Sequence, residues 1–183
     1  MHKKPTVYIA ELTYDTIVIS NEYFPIAIGY IVAYAEKHLP DLFTFKLFNF
    51  PDSILDAIDS KSPDILALSY FPWNYNLSLM VAEYYIRRNP NGTVVFGGGG
   101  LPLESKRRIE FFKTNEQVDI FVMYDGEFGF LEILKLYLST GGDKVKMITK
   151  DPIKGCIYLD RKEDTLIKGE VIPRPKDLDK IPS

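Results

Sequence analysis

Cysteine and histidine are almost missing from this 183-residue chain, and each shortage removes a class of chemistry. Cys156 is the only cysteine, which excludes an internal disulfide and any all-protein cysteine cluster for iron or zinc. The two histidines are His2, in the N-terminal tail, and His38, beside Pro40, where a helix C-terminus is expected. Positive charge is not in excess: 22 Lys and Arg against 25 Asp and Glu leave a net charge of −3. Without a basic footprint, a nucleic-acid partner is disfavoured. No apolar run reaches transmembrane length, because Glu11 and Asp15 interrupt the N-terminal one. The start also lacks the basic, apolar and small-residue zones of a signal peptide, so the expectation is a cytoplasmic protein without a membrane partner.

What the chain does have is an alternation. "TVYIA" (6 to 10), "FTFKLFNF" (43 to 50), "DILALSYF" (64 to 71), "TVVF" (93 to 96) and "VDIFVMY" (118 to 124) read as strands. Between them lie helical patterns. Pro25 suits a first turn, and Ile28, Ile31, Val32 and Ala35 share one face of a helix that stops before Pro40. A second helix opens at Pro51, a third carries Leu77, Met80, Val81, Tyr84 and Tyr85, and a fourth lies near 103 to 113. The last carries Phe130, Leu131, Leu134 and Leu138 and ends at Gly141-Gly142. Five β-α units predict an α/β fold: a doubly wound, Rossmann-like parallel sheet in the order 2-1-3-4-5. "KGCIYL" and "TLIKGEV" read as a β-hairpin appended outside that sheet, and "PRPKDLDKIPS" as a linker. The expected division is therefore 1–150, a hairpin over 151–172, and a linker over 173–183.

In such sheets ligands sit outside the carboxyl ends of the strands. The segments placed there are residues 11 to 24, Ser69 to Trp73, Gly97 to Gly100 and Tyr124 to Glu127. Four consecutive glycines after a buried strand cost backbone entropy, so the run is read as room for a closely approaching ligand. A dinucleotide fingerprint does not explain it, since "ELTYD" follows the first strand without a glycine. The phosphate-cradling Gly-x-x-x-x-Gly-Lys loop is absent as well. A receiver domain needs an aspartate closing strand three and a lysine closing strand five, where this chain has Ser69-Tyr70 and Tyr124. Thr13 and Thr16 are thin support for a flavodoxin-type phosphate loop. Ser69 reads equally as a strand-end hydroxyl satisfying backbone or as a ligand contact. Phe71 and Trp73 read as helix–sheet core, Glu127 as a charge complementing a helix dipole, and Cys156 as an inert buried thiol.

The edge residues carry a resemblance. "FPIAIGYIVAYAEKHLPD" after strand one, Ser69 closing strand three, Gly97-Gly98 closing strand four, and Gly126, Glu127 and Phe130 opening the last helix are similar to the N-terminal cobalamin-binding domain of cobalamin-dependent radical SAM enzymes. Gly155 to Tyr158 and the exit Leu178-Asp179-Lys180-Ile181-Pro182 extend the likeness over nearly the whole chain. The resemblance implies a cobalamin whose nucleotide tail inserts between the sheet and a helix. It implies Ser69, Tyr70, Gly97, Gly98, Gly99, Tyr124, Gly126 and Glu127 around that tail, and Thr13 and Tyr14 under the corrin ring. Gly98→Val is then expected to abolish cobalamin retention while leaving the fold intact. Tyr124 and Asp125 depart from the family pattern, which has glycine and glutamate there. No histidine stands where a lower cobalt ligand is needed; Thr13, Tyr14, Asn21 and Tyr23 are the loop's polar residues. The resemblance implies that the iron-sulfur cluster and S-adenosylmethionine belong to a radical SAM catalytic domain of the same polypeptide, used for methyl transfer or another radical rearrangement, and that this chain alone is not catalytic. A domain of this shape that binds a substrate or a protein partner without cofactor, and a small flavoprotein, stay open as alternatives.

Overall fold

The computed structural model describes residues 4–14, 25–148 and 151–174. Five parallel strands, β1 (Thr6–Ala10), β2 (Thr44–Phe48), β3 (Ile65–Ser69), β4 (Thr93–Gly97) and β5 (Ile120–Val122), stand in the order β2-β1-β3-β4-β5. The helices between and after them are α1 (Ile26–His38), α2 (Pro51–Ser60), α3 (Tyr75–Arg88), α4 (Ser105–Thr114) and α5 (Gly126–Thr140). The expected topology is borne out.

Apolar runs without alternation made this outcome legible, because a strand covered on both faces buries every side chain. Tyr8, Leu66, Leu68, Val94, Phe96 and Phe121 pack against Ile54 and Ile58 of α2, Val81 and Tyr85 of α3, and Phe112 of α4. The alternate residues Val7, Ile9, Ile65, Ala67, Val95 and Ile120 face Ile28 and Val32 of α1 and Phe130, Ile133 and Leu134 of α5. β2, at the sheet edge, has exposed positions where β1 has none. Helix ends follow local chemistry. α2 starts on Pro51, and α5 stops where Gly141 takes φ 66°, a left-handed cap that a side chain would resist.

Two features differ from the sequence reading. The hairpin does not stand outside the sheet: β6 (Cys156–Asp160) pairs antiparallel with β5, and β7 (Thr165–Lys168) pairs with β6, giving seven strands in one sheet. The reason is the unpaired edge that β5 would otherwise present, together with a strand whose first four residues are buried. Cys156 lies in that strand with no exposed surface, and burial pushes its thiol up, in keeping with an inert role. The second difference is a short helix, α6 (Lys144–Met147), too brief for periodicity to reveal. Asp143 nucleates it by accepting the backbone N–H groups of Val145 and Lys146. Beyond Arg174 the linker, with the Leu178 to Pro182 motif, lies outside the described residues. Among the described residues no helix is long and apolar enough to cross a membrane.

Candidate functional site

At the carboxyl edge, on the α1/α5 face, the sheet and the two helices leave a cleft of about 190 Å³. Its floor follows from register. Ser69, Gly97 and Val122 are cross-strand partners in one row, with Ala67 and Val95 in the row below. Ala67 and Gly97 are the small residues of those rows, and the missing volume above them is the cleft. Ala27, Ile28 and Ile31 of α1 form one wall; Gly126, Glu127 and Phe130 of α5 form the other. The helices meet closely here, since a Cβ on Gly126 would lie 2.8 Å from Ile31 Cδ1. Phe71, Gly98 and Tyr124 complete the lining, as does Glu11, a carboxylate only 6% exposed.

Of the residues the sequence singled out, Ser69, Gly97, Gly98, Tyr124, Gly126 and Glu127 line this cleft. Gly99, Tyr70, Thr13 and Tyr14 do not. Tyr70 is 9% exposed and packs its ring against Phe96, Phe111 and Phe121 on the opposite face of the sheet. Its burial raises the phenol's pKa, so it stays neutral. Successive residues of an extended chain point to opposite faces, so Ser69 and Tyr70 cannot share one cleft. Thr13 is tied by its N–H to Asn49 O at 2.9 Å and lines a separate depression with Glu11, Leu12 and Trp73. Tyr14 is half exposed, and Asn21 and Tyr23 lie outside the described residues.

The glycine run divides by role. Gly98 takes φ 124°, and a Cβ on it would fall 2.9 Å from Tyr70 O. Gly100 donates its N–H to Tyr70 O, and its own Cβ would fall 2.7 Å from that oxygen. These two glycines are demanded by the chain's own backbone crossing at Tyr70. A Cβ on Gly99 would make ordinary contact with the Phe71 ring at 3.8 Å. A Cβ on Gly97 would likewise make only ordinary contact, with Val122 Cβ at 3.7 Å, and of these two glycines Gly97 is the one that lines the cleft. The expectation that Gly98→Val spares the fold is therefore corrected: valine cannot take that backbone conformation without strain.

The core reading of Trp73 is corrected too. Its ring is 61% exposed and stacks on Phe71 with centroids 4.6 Å apart. Tyr124 at the rim is 66% exposed and holds φ 61°, a left-handed conformation where glycine costs nothing. Tyr124→Gly should therefore stabilise the protein by about 1 kcal/mol, less the added freedom of the unfolded chain. A melting temperature unchanged or lower in the variant would mean the tyrosine ring contributes more than its backbone costs. Next to it, Asp125 is held by Arg174, whose guanidinium reaches both carboxylate oxygens and ties the exit segment to the start of α5.

Two lining or supporting residues escaped the sequence reading, Ala67 and Asn74, while Glu11 and Ala27 entered it only as members of longer segments. Ala67 carried a signal, being the small residue two positions before Ser69 and hence on its face. Asn74, 1% exposed, donates from Nδ2 to Ser69 Oγ at 2.8 Å and accepts the Phe71 N–H on Oδ1 at 2.9 Å.

Comparison with known proteins decides the kinship. The chain is 32% identical over 130 residues to the cobalamin-dependent radical SAM methyltransferase TokK of Streptomyces tokunonensis, covering 67% of this chain and 18% of that protein. It is also 32% identical over 117 residues to the 2-(S-pantetheinyl)-carbapenam-3-carboxylate methyltransferase of Streptantibioticus cattleyicolor, covering 61% of this chain and 17% of that one. No family model matches. Among solved structures, the cobalamin-dependent S-adenosylmethionine radical enzyme OxsB with aqua-cobalamin and S-adenosylmethionine bound superposes with a TM-score of 0.67. That match has 19% identity and covers 98% of this chain and 24% of OxsB, so it speaks for the fold. The resemblance to cobalamin-dependent radical SAM enzymes read from the edge residues is borne out. The chain spans under a fifth of the length of the curated relatives it matches.

Proposed function

We propose that this chain is a cobalamin-binding domain, and that a radical SAM catalytic domain, with its iron-sulfur cluster and S-adenosylmethionine, belongs to the same polypeptide. The observation that supports this most directly is the cleft itself: an apolar slot at the carboxyl edge, between sheet and helices, opened by Ala67 and Gly97. At about 190 Å³ it is smaller than the roughly 300 Å³ at which whole-ligand pockets begin. It suits one end of a large ligand, such as the nucleotide tail, with the corrin lying outside the mouth. In this reading Gly97 and Ala67 admit the tail, Ser69 donates a hydrogen bond to it, and Gly126, Glu127, Gly98 and Tyr124 border it. Thr13 and Tyr14 stand under the corrin. Tyr70 and Gly99 act from behind, the former by accepting the Gly100 N–H on its carbonyl, against which Gly98 packs closely. Bound cobalamin supplies methyl-transfer chemistry; the substrate is set by the rest of the polypeptide.

The lower face of cobalt receives no protein histidine in this proposal. His38 sits at the far end of α1, its Nδ1 paired with Tyr34 O at 2.9 Å and its ring packed on Tyr34. His2 lies outside the described residues. If the tail's base occupied the cleft, neither it nor a histidine of this chain would be available to the cobalt, and the chemistry the group would supply is that of a low-coordinate reduced metal. The protein mixed with hydroxocobalamin and desalted should retain the visible corrin spectrum. Reduced to Co(II), it should give paramagnetic resonance lines without nitrogen superhyperfine splitting. A colourless protein would sink the cobalamin reading in favour of a cofactor-free or flavin-binding domain, and resolved nitrogen splitting would sink the unligated lower face.

A further inference from the structure

The floor of the cleft carries a hydrogen-bond direction that a serine alone would not have. A serine hydroxyl can give or accept, turning to suit its partner. At Ser69 that freedom is removed by Asn74. The Phe71 N–H can only donate, so the Asn74 amide must turn its Oδ1 toward it, at 2.9 Å. The other end of the amide, Nδ2, then faces Ser69 Oγ at 2.8 Å and can only donate. Ser78 Oγ meanwhile donates to Ser69 O at 2.7 Å, holding the backbone of the same residue. Ser69 Oγ is therefore an acceptor toward Asn74, and its proton has no recorded acceptor among the described residues. Beside it on the floor, Ala67, Gly97 and Val122 have no polar side chain to take that proton.

We infer that Asn74 is a positioning residue that makes Ser69 an obligate donor into the cleft, so that the floor selects a ligand presenting a hydrogen-bond acceptor at that depth. The inference rests on the proposed cobalamin reading, in which the acceptor is an unprotonated ring nitrogen of the displaced base or an oxygen of its sugar-phosphate. A ligand lacking an acceptor there leaves the donor stranded.

Asn74→Asp tests this because it is nearly isosteric and reverses one bond. One carboxylate oxygen keeps the Phe71 N–H, while the other takes the Ser69 proton away from the cleft. Hydroxocobalamin affinity should fall roughly tenfold to a hundredfold, the scale of a lost buried hydrogen bond, with the circular dichroism unchanged. Ser69→Ala should lose a similar amount, and Asn74→Asp should cost nothing further in the Ser69→Ala background. Cobinamide, which lacks the nucleotide tail, should bind parent and Asn74→Asp equally. If Asn74→Asp does not fold, Asn74→Ala frees the hydroxyl to turn and should cost roughly three- to tenfold, again only when Ser69 is present. Parent-like hydroxocobalamin affinity in the Asn74 variant, or an equal loss with and without Ser69, overturns the inference and leaves the cobalamin reading standing. Failure of the parent to bind hydroxocobalamin overturns both.

Discussion

Gly97→Val should abolish hydroxocobalamin retention and leave the fold in place. A Cβ at Gly97 meets nothing closer than Val122 Cβ at 3.7 Å, and the residue is not among those with a left-handed φ. Valine suits a strand end, so its branches stand up into the cleft without disturbing the sheet. A ligand end that fits over Ala67 and Gly97 then loses its place, and the dissociation constant should rise about a hundredfold or more, roughly 3 kcal/mol. Gly98→Val is the contrasting control. There the added side chain meets Tyr70 O at 2.9 Å in a backbone conformation of φ 124°, so the cost, of order 1–3 kcal/mol, falls on folding. Equilibrium dialysis with hydroxocobalamin and thermal melts separate the two effects. Parent-like affinity in Gly97→Val would show that the tail does not pass over strand four.

The largest expected loss of stability lies at the other edge of the sheet. Asp119 immediately precedes β5, its side chain 5% exposed, accepting the Val94 N–H at 2.8 Å and pairing with Lys144 Nζ at 2.9 Å. Lys144→Met should cost about 2–3 kcal/mol at neutral pH, below the 3–5 typical of fully buried pairs because Lys144 is itself 25% exposed. The cost should depend on pH. Burial pushes the Asp119 carboxyl up, against the pull of Lys144 and of the Val94 N–H. A carboxyl raised in the folded state contributes stability that is complete below its unfolded value and is lost as pH rises through the folded one. Removing Lys144 raises it further. The penalty of Lys144→Met should thus be greatest near neutrality and shrink as acid protonates Asp119, since a neutral carboxyl needs no cation beside it. Urea titrations at neutral and acidic pH measure this. A penalty that is small, or the same at both, would show that the pair contributes little.

Much of the architecture was written in local patterns. Apolar runs such as "DILALS" and helical spacings such as Ile28, Val32 and Ala35 need no distant partner to be read, because periods of 2 and 3.6 are properties of a short segment. They determined a doubly wound parallel sheet and put the glycine run, Ser69 and Tyr124 to Glu127 at its carboxyl edge. The exclusion of a cysteine-held cluster and of a histidine in the first loop also came from the sequence alone. Which side chains meet was decided only by tertiary structure. Register set Ser69 beside Gly97 and Gly97 beside Val122, and the crossing at Tyr70 reserved Gly98 and Gly100 for backbone packing. The hairpin joined the sheet because β5 offered an open edge, a fact no local pattern of residues 156 to 168 contains. Asn74 acquired its hold on Ser69 because the turn after β3 folds back on the strand end. Contacts of this kind depend on how separate segments pack, and a residue's neighbours across a sheet are not encoded in its neighbours along the chain.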